Sequence, residues 1–128
     1  MIVPLLYTDD VEALAQWLVT HLDLRLYWQS TGAGESIDHA ELRLGEQYLS
    51  LNRRRTPYDE VGPTVLGLRY GDRETVERLY ARALDWGLPI AMALTESSVA
   101  WSFTVADPDG NHWWVHAETG MLDELRPD

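Results

Sequence analysis

Trp101-Ser102-Phe103-Thr104-Val105-Ala106-Asp107-Pro108-Asp109-Gly110-Asn111-His112-Trp113-Trp114-Val115-His116-Ala117-Glu118 is the stretch that decides the fold. Both of its ends are rich in aromatic and β-branched residues, which favour strands. In the middle, Pro108 suits the first central position of a tight turn, and Gly110 can adopt a positive φ. The stretch therefore predicts a strand, a turn and a closing strand.

Side chains of the closing strand alternate between two faces, because successive residues of a strand point to opposite sides. One face then carries Trp113, Val115 and Ala117, and the other carries His112, Trp114, His116 and Glu118. The first set suits a hydrophobic core. The second set suits the lining of a cavity.

The first half of the chain reads as β-α-β-β-β. Residues 2–8 form a strand, and Asp9 with Glu12 has the spacing of a helix capping box. Apolar residues then follow a helical period for about three turns, with His21 predicted at the surface. Three strands follow at 24–29, 39–44 and 48–52, of which the second alternates strictly between apolar and polar residues.

The second half repeats that order after a polar linker at 53–63 that contains two prolines. A strand at 64–70 is followed by a helix that Asp72 caps and Gly87 ends, and by a strand at 89–94. Asp10 and Asp72 occupy equivalent positions, 62 residues apart. The chain is therefore an α+β fold of two βαβββ modules, at 1–55 and 63–118, within a single domain at 1–128. A polar tail at 119–128 follows.

Charge and composition exclude several classes of function. The formal net charge of −11 disfavours nucleic acid and anionic membranes as partners and favours cationic ligands. Cysteine is absent, which excludes disulfides, thiolate metal sites and thiol nucleophiles. No apolar run approaches the ~20 residues of a membrane span, and the N-terminus does not have the pattern of a signal peptide. We therefore expect a cytoplasmic protein.

Two successive βαβββ modules with Asp107-Pro108-Asp109-Gly110-Asn111 before the last strand resemble the vicinal oxygen chelate superfamily. That superfamily includes glyoxalase I, extradiol dioxygenases, fosfomycin-resistance enzymes and bleomycin-resistance proteins. The resemblance covers residues 1–118. It implies that the two modules enclose a cleft, which a second subunit often completes, and thus a homodimer.

Metal-dependent members carry ligands on the cleft face of each module's first and last strands. The resemblance places these positions on Val3, Ser50, Val65 and Trp114, none of which is a suitable ligand. We therefore expect no metal and no other cofactor. A displaced metal site could use His112, His116 and Glu118 with help from His39 and Glu41. The alternative is that these residues are only polar lining.

The cleft face is expected to form a small-molecule site with aromatic platforms and a few polar groups. The alternative is that the aromatic side chains fill the cleft as part of the core. Trp114, Tyr48 and Tyr7 are the candidate stacking residues, and Glu41 or Glu118 would pair with a charged ligand. Trp28 could add to the rim. The complete predicted set is Tyr7, Glu41, Arg43, Tyr48, Ser50, Arg69, His112, Trp114, His116 and Glu118.

Three functions are compatible with this pattern. The resemblance to bleomycin-resistance proteins, which are metal-free and sequester a flat cationic drug, favours capture of an aromatic, cationic small molecule and a role in antibiotic resistance. Arg43 and Arg69 would instead suit a carboxylate or phosphate on the ligand. The second function is a glyoxalase- or dioxygenase-like enzyme with displaced metal ligands, or with metal-free chemistry in which a residue such as His116, Glu41 or Tyr7 is the acid or base. The sequence does not assign the catalytic role to one of them. The third is a regulatory module.

Overall fold

The computed structural model describes residues 1–32, 34 and 36–119. Their contacts define two compact units, one formed mainly by Met1–Pro63 and one mainly by Thr64–Asp107 with the last strand. The predicted polar tail lies outside the described residues except for Thr119, whose backbone N–H donates to the carbonyl of Val99. None of the described helices has the length and apolar character needed to cross a membrane.

The first unit contains one helix on one face of a four-stranded sheet. Its elements are β1 (Leu5–Thr8), α1 (Val11–Leu22), β2 (Arg25–Thr31), β3 (Ile37–Leu44) and β4 (Gln47–Arg53). The strand order is β1-β4-β3-β2, with β1 parallel to β4 and the other pairs antiparallel. The helix packs mainly on β3 and β4, where Val11, Leu18, Leu42 and Leu51 are fully buried. The opposite side of this sheet is called its helix-free face.

The second unit repeats this architecture. Its elements are β5 (Val65–Arg69), α2 (Arg73–Asp85), β6 (Ile90–Glu96), β7 (Ala100–Ala106) and β8 (His112–Glu118). The strand order β5-β8-β7-β6 is equivalent to that of the first sheet. The helix covers β7 and β8, and Val76, Leu79, Phe103, Trp113 and Val115 are fully buried. The predicted α+β fold of two βαβββ modules is therefore confirmed.

The two helices begin in the same way. Asp10 Oδ1 accepts a hydrogen bond from Ala13 N at 3.0 Å, and Asp72 Oδ1 accepts one from Thr75 N at 2.8 Å. Such a bond satisfies one of the free N–H groups of a helix's first turn. The predicted capping box of Asp9 with Glu12 is wrong, because α1 begins one residue later and Asp9 instead pairs with Arg54 at 2.8 Å.

The turn between β7 and β8 is held by its own side chains. Asp107 accepts hydrogen bonds from Asn111 N at 3.0 Å, Asn111 Nδ2 at 2.9 Å and Trp113 Nε1 at 2.8 Å. Gly110 has a φ of 84°, and the sequence predicts such a positive φ from the glycine in this turn. The aspartate therefore links the turn to the largest fully buried side chain, that of Trp113.

His21 is not at the surface as predicted. Its side chain is buried near the end of α1, where its ring meets the edge of Trp17 at 5.4 Å between centroids. The helical period of α1 places His21 on the same side as the buried Leu14 and Leu18. This position, more than the polarity of the imidazole, determines that His21 is buried.

Candidate functional site

The predicted site residues of the first half share one face of the first sheet. Strand pairing sets Tyr7 beside Asn52, Glu41 beside Ser50, and Arg43 beside Tyr48. Paired residues point to the same side of a sheet, so these side chains lie in neighbouring rows. Ala40, Leu42, Leu49 and Leu51, which alternate with them, are buried against α1. The structure thus brings together Tyr7, Glu41, Arg43, Tyr48 and Ser50 on the helix-free face.

A chain of hydrogen bonds crosses this face. His39 Nε2 lies 2.6 Å from Glu41 Oε1, and His39 Nδ1 lies 2.7 Å from Asn52 Oδ1. Asn52 in turn donates through Nδ2 to Ser50 Oγ at 3.0 Å. Because an amide oxygen only accepts hydrogen bonds, this arrangement assigns a proton to Nδ1 of the histidine. Both ring nitrogens of His39 are therefore occupied within the protein.

Aromatic rings line the outer edge of the same face. Tyr27 meets Tyr48 edge to face with 6.0 Å between ring centroids, and Trp28 meets His39 in the same way at 5.2 Å. About half of the Trp28 side chain is exposed. A β-bulge between Leu26 and Trp28 shifts the register of β2 against β3, which sets Trp28 opposite Glu41. Trp28 therefore lies at the outer edge of the helix-free face, and its place at the rim of a binding site stays a prediction.

A polar cavity of about 290 Å³ opens at the end of these strands. Of the predicted set only Tyr7 lines it. The other lining residues are Asp38, His39, Asn52, Arg53, Arg55 and Asp59. Sequence reasoning assigned 53–63 to a linker and so missed this cavity, although three consecutive arginines in an acidic chain were a visible signal.

A second cavity of about 520 Å³ lies in the first unit between α1 and β2. Glu12, Val19, Leu26 and Ile37 are among its lining residues, and none of the predicted site residues lines it. It is larger than the polar cavity but lies away from the helix-free face. Size alone therefore does not mark the predicted site in this unit.

The predicted site residues of the second half share the helix-free face of the second sheet. Register pairs Val65 with His112, Gly67 with Trp114 and Arg69 with His116. Trp113, Val115 and Ala117 point to the opposite side and are fully buried or nearly so. The alternation predicted for the closing strand is thus confirmed, and Arg69, His112, Trp114, His116 and Glu118 lie on one face.

Two of these side chains are stacked at the centre of the face. The rings of Trp114 and His116 lie 3.8 Å apart between centroids, with an angle of 18° between their planes. A Cβ atom at Gly67 would lie 3.2 Å from Cε3 of Trp114 and 3.6 Å from Nε2 of His116. Glycine in the middle of a strand often marks a close approach, and here it leaves room for the two rings. Gly67, a glycine in the middle of a predicted strand, was the sequence signal for this close contact.

The surroundings of His116 disfavour its protonated form. Only 9% of the residue is exposed. Burial lowers the pKa of the imidazole from its ordinary value, the positive charge of Arg69 lowers it further, and the carboxylate of Glu118 acts in the opposite direction. A neutral imidazole stacks on an indole and can still accept a proton or a hydrogen bond.

The two acidic residues predicted to pair with a ligand already have partners in the protein. Glu41 is bonded to His39, and Glu118 Oε1 lies 3.0 Å from Arg69 Nη2. A charged ligand would therefore compete with an existing hydrogen-bonded partner at each place. In the described parts of the chain, no three His, Asp or Glu side chains lie close enough to hold a metal ion.

Comparisons with known proteins agree with this architecture. The sequence model of the glyoxalase/bleomycin resistance protein/dioxygenase superfamily matches residues 2–115. No curated protein sequence matches the chain.

Similar solved structures include TioX from Micromonospora sp. ML1, with 22% identity, a TM-score of 0.75 and coverage of 91% of this chain and 96% of that one. Lactoylglutathione lyase from Agrobacterium tumefaciens is 20% identical, with a TM-score of 0.73 and coverage of 95% and 94%. These likenesses show a shared fold. The family match over nearly the whole chain goes further, and the protein belongs to the glyoxalase/bleomycin resistance protein/dioxygenase superfamily.

Proposed function

We propose that this protein binds a small planar aromatic molecule and holds it without transforming it, as a sequestering protein for a toxic compound such as an antibiotic would. The observation that carries the proposal is the stack of Trp114 on His116 above Gly67. The ring pair lies at the centre of the helix-free face of the second sheet. A fixed, partly exposed indole there offers a flat apolar surface to a ligand ring.

The charge of the protein favours a cationic aromatic ligand. A net charge of −11 attracts cations at long range, and the face of an indole ring attracts a cation at short range. Arg69 and Arg43, both in the predicted site, are local exceptions on the helix-free faces. Arg69 is paired with Glu118, so that its charge is compensated close to the ring stack.

The residues at the family's metal positions do not fit a divalent metal. Val3 and Val65 have no donor atom, and the indole of Trp114 can only donate a hydrogen bond. The hydroxyl of Ser50 accepts a hydrogen bond from Asn52 and is a weak ligand by itself. The proposed function therefore uses no metal at these positions, and binding rests on stacking and charge.

Metal-free acid–base catalysis is the second candidate, and the short contact between His39 and Glu41 is the observation in its favour. A carboxylate beside an imidazole is a common way to orient a general base. In this protein, however, Asn52 occupies the other ring nitrogen of His39. Neither nitrogen is left to act on a substrate, which is why binding is the better interpretation.

The proposal includes a homodimer in the cytoplasm. Strand β2 lies at the edge of the first sheet and exposes Leu26, Tyr27 and Trp28 by 41%, 52% and 52%. Tyr27 and Trp28 lie on the helix-free face, where their rings contact Tyr48 and His39. Large exposed apolar side chains on an edge strand favour pairing with another chain. Light scattering after size-exclusion chromatography would give twice the 14.6 kDa chain mass for a dimer.

Binding can be tested through tryptophan fluorescence, with a phenanthridinium dye as a planar cation and naphthalene sulfonate as a planar anion. We expect saturable quenching by the cation, and a loss of about tenfold or more in affinity in Trp114→Ala, as expected when a stacking surface is removed. Trp86→Ala is the matched control, since Trp86 is exposed at the end of α2.

Three results would contradict the proposal. The first is unchanged affinity in Trp114→Ala, and the second is an equal loss in Trp86→Ala. The third is one divalent metal per chain, measured by elemental analysis on protein purified without chelators or a histidine tag. If Trp114→Ala does not fold, Trp114→Phe keeps an aromatic ring in place and should bind more weakly than the wild type.

A further inference from the structure

Three consecutive arginines stand at the end of β4 in a chain with few basic residues. Arg53, Arg54 and Arg55 are three of only ten basic residues, against 21 acidic ones. The proposed binding of an aromatic ligand at Trp114 does not involve them. Arg53 and Arg55 line the polar cavity, whereas Arg54 does not. This difference indicates a second site at the cavity.

Arg53 and Arg55 approach one carboxylate from two sides. Arg53 Nε donates to Asp38 Oδ1 at 2.7 Å, and its Nη2 donates to the carbonyl of Ile37 at 3.1 Å. Arg55 Nη2 lies 3.6 Å from Asp38 Oδ2. Two guanidinium groups therefore share one carboxylate at the wall of the polar cavity. Arg54 instead pairs with Asp9 and does not line that cavity.

The other acidic residue of the cavity is used to hold the loop. Asp59 Oδ2 accepts hydrogen bonds from the backbone N–H groups of Arg55 at 2.9 Å and Thr56 at 3.1 Å. These bonds lower the pKa of Asp59 from its ordinary value, the one from Arg55 most strongly. Asp59 is thus ionised and faces its own turn, where it fixes the backbone that carries Arg55.

The balance of hydrogen-bonding groups in the cavity favours an acceptor as ligand. Each guanidinium has five N–H donors. Among the described residues, Arg53 uses its Nε and Nη2 groups and Arg55 makes only the long contact with Asp38. Tyr7 adds a hydroxyl to the lining, and Asn52 adds an amide whose Nδ2 also donates to Ser50 Oγ. Both ring nitrogens of His39 are already bonded, to Glu41 and Asn52. His39 therefore forms part of the cavity wall but does not offer a donor to the ligand.

We propose that this cavity binds a small oxyanion, the carboxylate or phosphate group of a metabolite, between Arg53 and Arg55. Its volume of about 290 Å³ is near the lower end of small-molecule sites, which fits a compact acid. The exposed guanidinium of Arg55 can offer its fork to the two oxygens of such a group, and Arg53 adds the N–H groups that Asp38 and Ile37 do not use. The formal charges of Arg53 and Arg55 are balanced by those of Asp38 and Asp59.

Gly32 supports this geometry from the opposite side of Asp38. A Cβ atom at position 32 would overlap the carboxylate of Asp38. Glycine is therefore required for Asp38 to remain in contact with Arg53. Gly32→Ala should displace that carboxylate and alter the anion site without touching either arginine.

The test is a titration with inorganic phosphate and, separately, with acetate at constant ionic strength. Binding is followed by the NMR signals of the backbone amides and arginine Nε–H groups of the intact protein. We expect saturable shifts at Arg53, Arg55 and the Asn52 side chain. Arg55→Ala should weaken binding about tenfold, because one charge-assisted fork is lost, and Arg54→Ala should change it less than about twofold.

Arg55 is suited to this test because 73% of its side chain is exposed, so its removal does not open the core. Tighter binding of phosphate or of acetate supports the proposal in either case and identifies the anionic group. Equal weakening in Arg54→Ala and Arg55→Ala, or shifts spread over all arginines, would overturn it. Because Trp114 is absent from this cavity, the result is independent of the aromatic site.

Discussion

The imidazole of His116 lies parallel to the indole of Trp114, two residues earlier on the same strand, at 3.8 Å between ring centroids. Side chains two apart on a strand point to the same side but stand ~6.6 Å apart at their Cα atoms. The rings must therefore lean toward each other, and the missing side chain at Gly67 on β5 gives them the space. This relationship decides the shape of the proposed aromatic platform.

Gly67→Ala is expected to disturb the ring stack. Its Cβ would lie 3.2 Å from Cε3 of Trp114, so the indole or the strand must shift, at a cost of about 1–3 kcal/mol in the free energy of unfolding. Urea denaturation measures the loss, and near-ultraviolet circular dichroism reports the altered indole. Gly71→Ala is the control, since nothing lies within 4 Å of its Cβ position, and it should change stability by less than about 0.5 kcal/mol. Equal effects of the two substitutions would contradict the role of Gly67.

The depressed pKa of His116 predicts that folding becomes weaker on acidification. Burial and Arg69 lower the pKa of the folded histidine below its ordinary value of about 6.5, so the unfolded chain binds the proton more readily. The stabilising effect is present above pH ~6.5 and is lost as the pH falls toward the folded pKa.

Stability measured by urea denaturation between pH 7.5 and 5.5 should therefore fall less in His116→Gln than in the wild type. His112→Gln is the matched control, because His112 is exposed on the same strand and face. It should keep the pH dependence of the wild type. An unchanged dependence in His116→Gln would show that other groups cause the loss.

The fold could be predicted from the sequence because its signals are local and repeated. Alternation in β3 and β8 and the turn at Gly110 each depend on a few neighbouring residues, and all three agree with the structure. The equivalence of Asp10 and Asp72 gave the repeat of the two modules.

The site could be predicted only in part. Alternation assigns a residue to a face, and the strand register puts the ten candidate residues on the helix-free faces. Their role in binding stays a prediction. Alternation does not show which side chains on a face form hydrogen bonds or ion pairs with each other. The contact of His39 with Glu41, two residues apart on β3, depends on their rotamers, and the pair of Arg69 with Glu118 depends also on the distance between β5 and β8. The polar cavity was missed because Arg55 and Asp59 lie in a loop without periodicity.

The cap of α1 can be tested by comparing two adjacent aspartates. Asp10→Ala removes the acceptor of the Ala13 N–H and should lower the free energy of unfolding by about 1 kcal/mol. Asp9→Ala removes only an exposed ion pair with Arg54, which is typically worth less than about 1 kcal/mol and is weakened by salt. In thermal denaturation with 0.5 M salt, Asp10→Ala should therefore lose more stability than Asp9→Ala. A larger loss in Asp9→Ala under these conditions would restore the capping box that the sequence suggested.

Asp107 is expected to be the most sensitive position of the turn. Asp107→Ala would leave the two Asn111 N–H donors and the Trp113 Nε1–H without their acceptor inside the protein. A buried donor without a partner costs about 1–3 kcal/mol, so we expect a loss of more than about 2 kcal/mol in urea denaturation. Asp85→Ala, at an exposed position, should stay within about 0.5 kcal/mol.

If Asp107→Ala does not fold, Asp107→Asn provides the same test with a smaller change. Its amide oxygen can replace one carboxylate oxygen, but the amide nitrogen cannot accept from Trp113 or Asn111. Its stability should therefore lie between those of the wild type and the alanine variant. Wild-type stability in Asp107→Asn would mean that the carboxylate is dispensable, and that backbone bonds such as Asp107 N to the Asn111 carbonyl hold the turn by themselves.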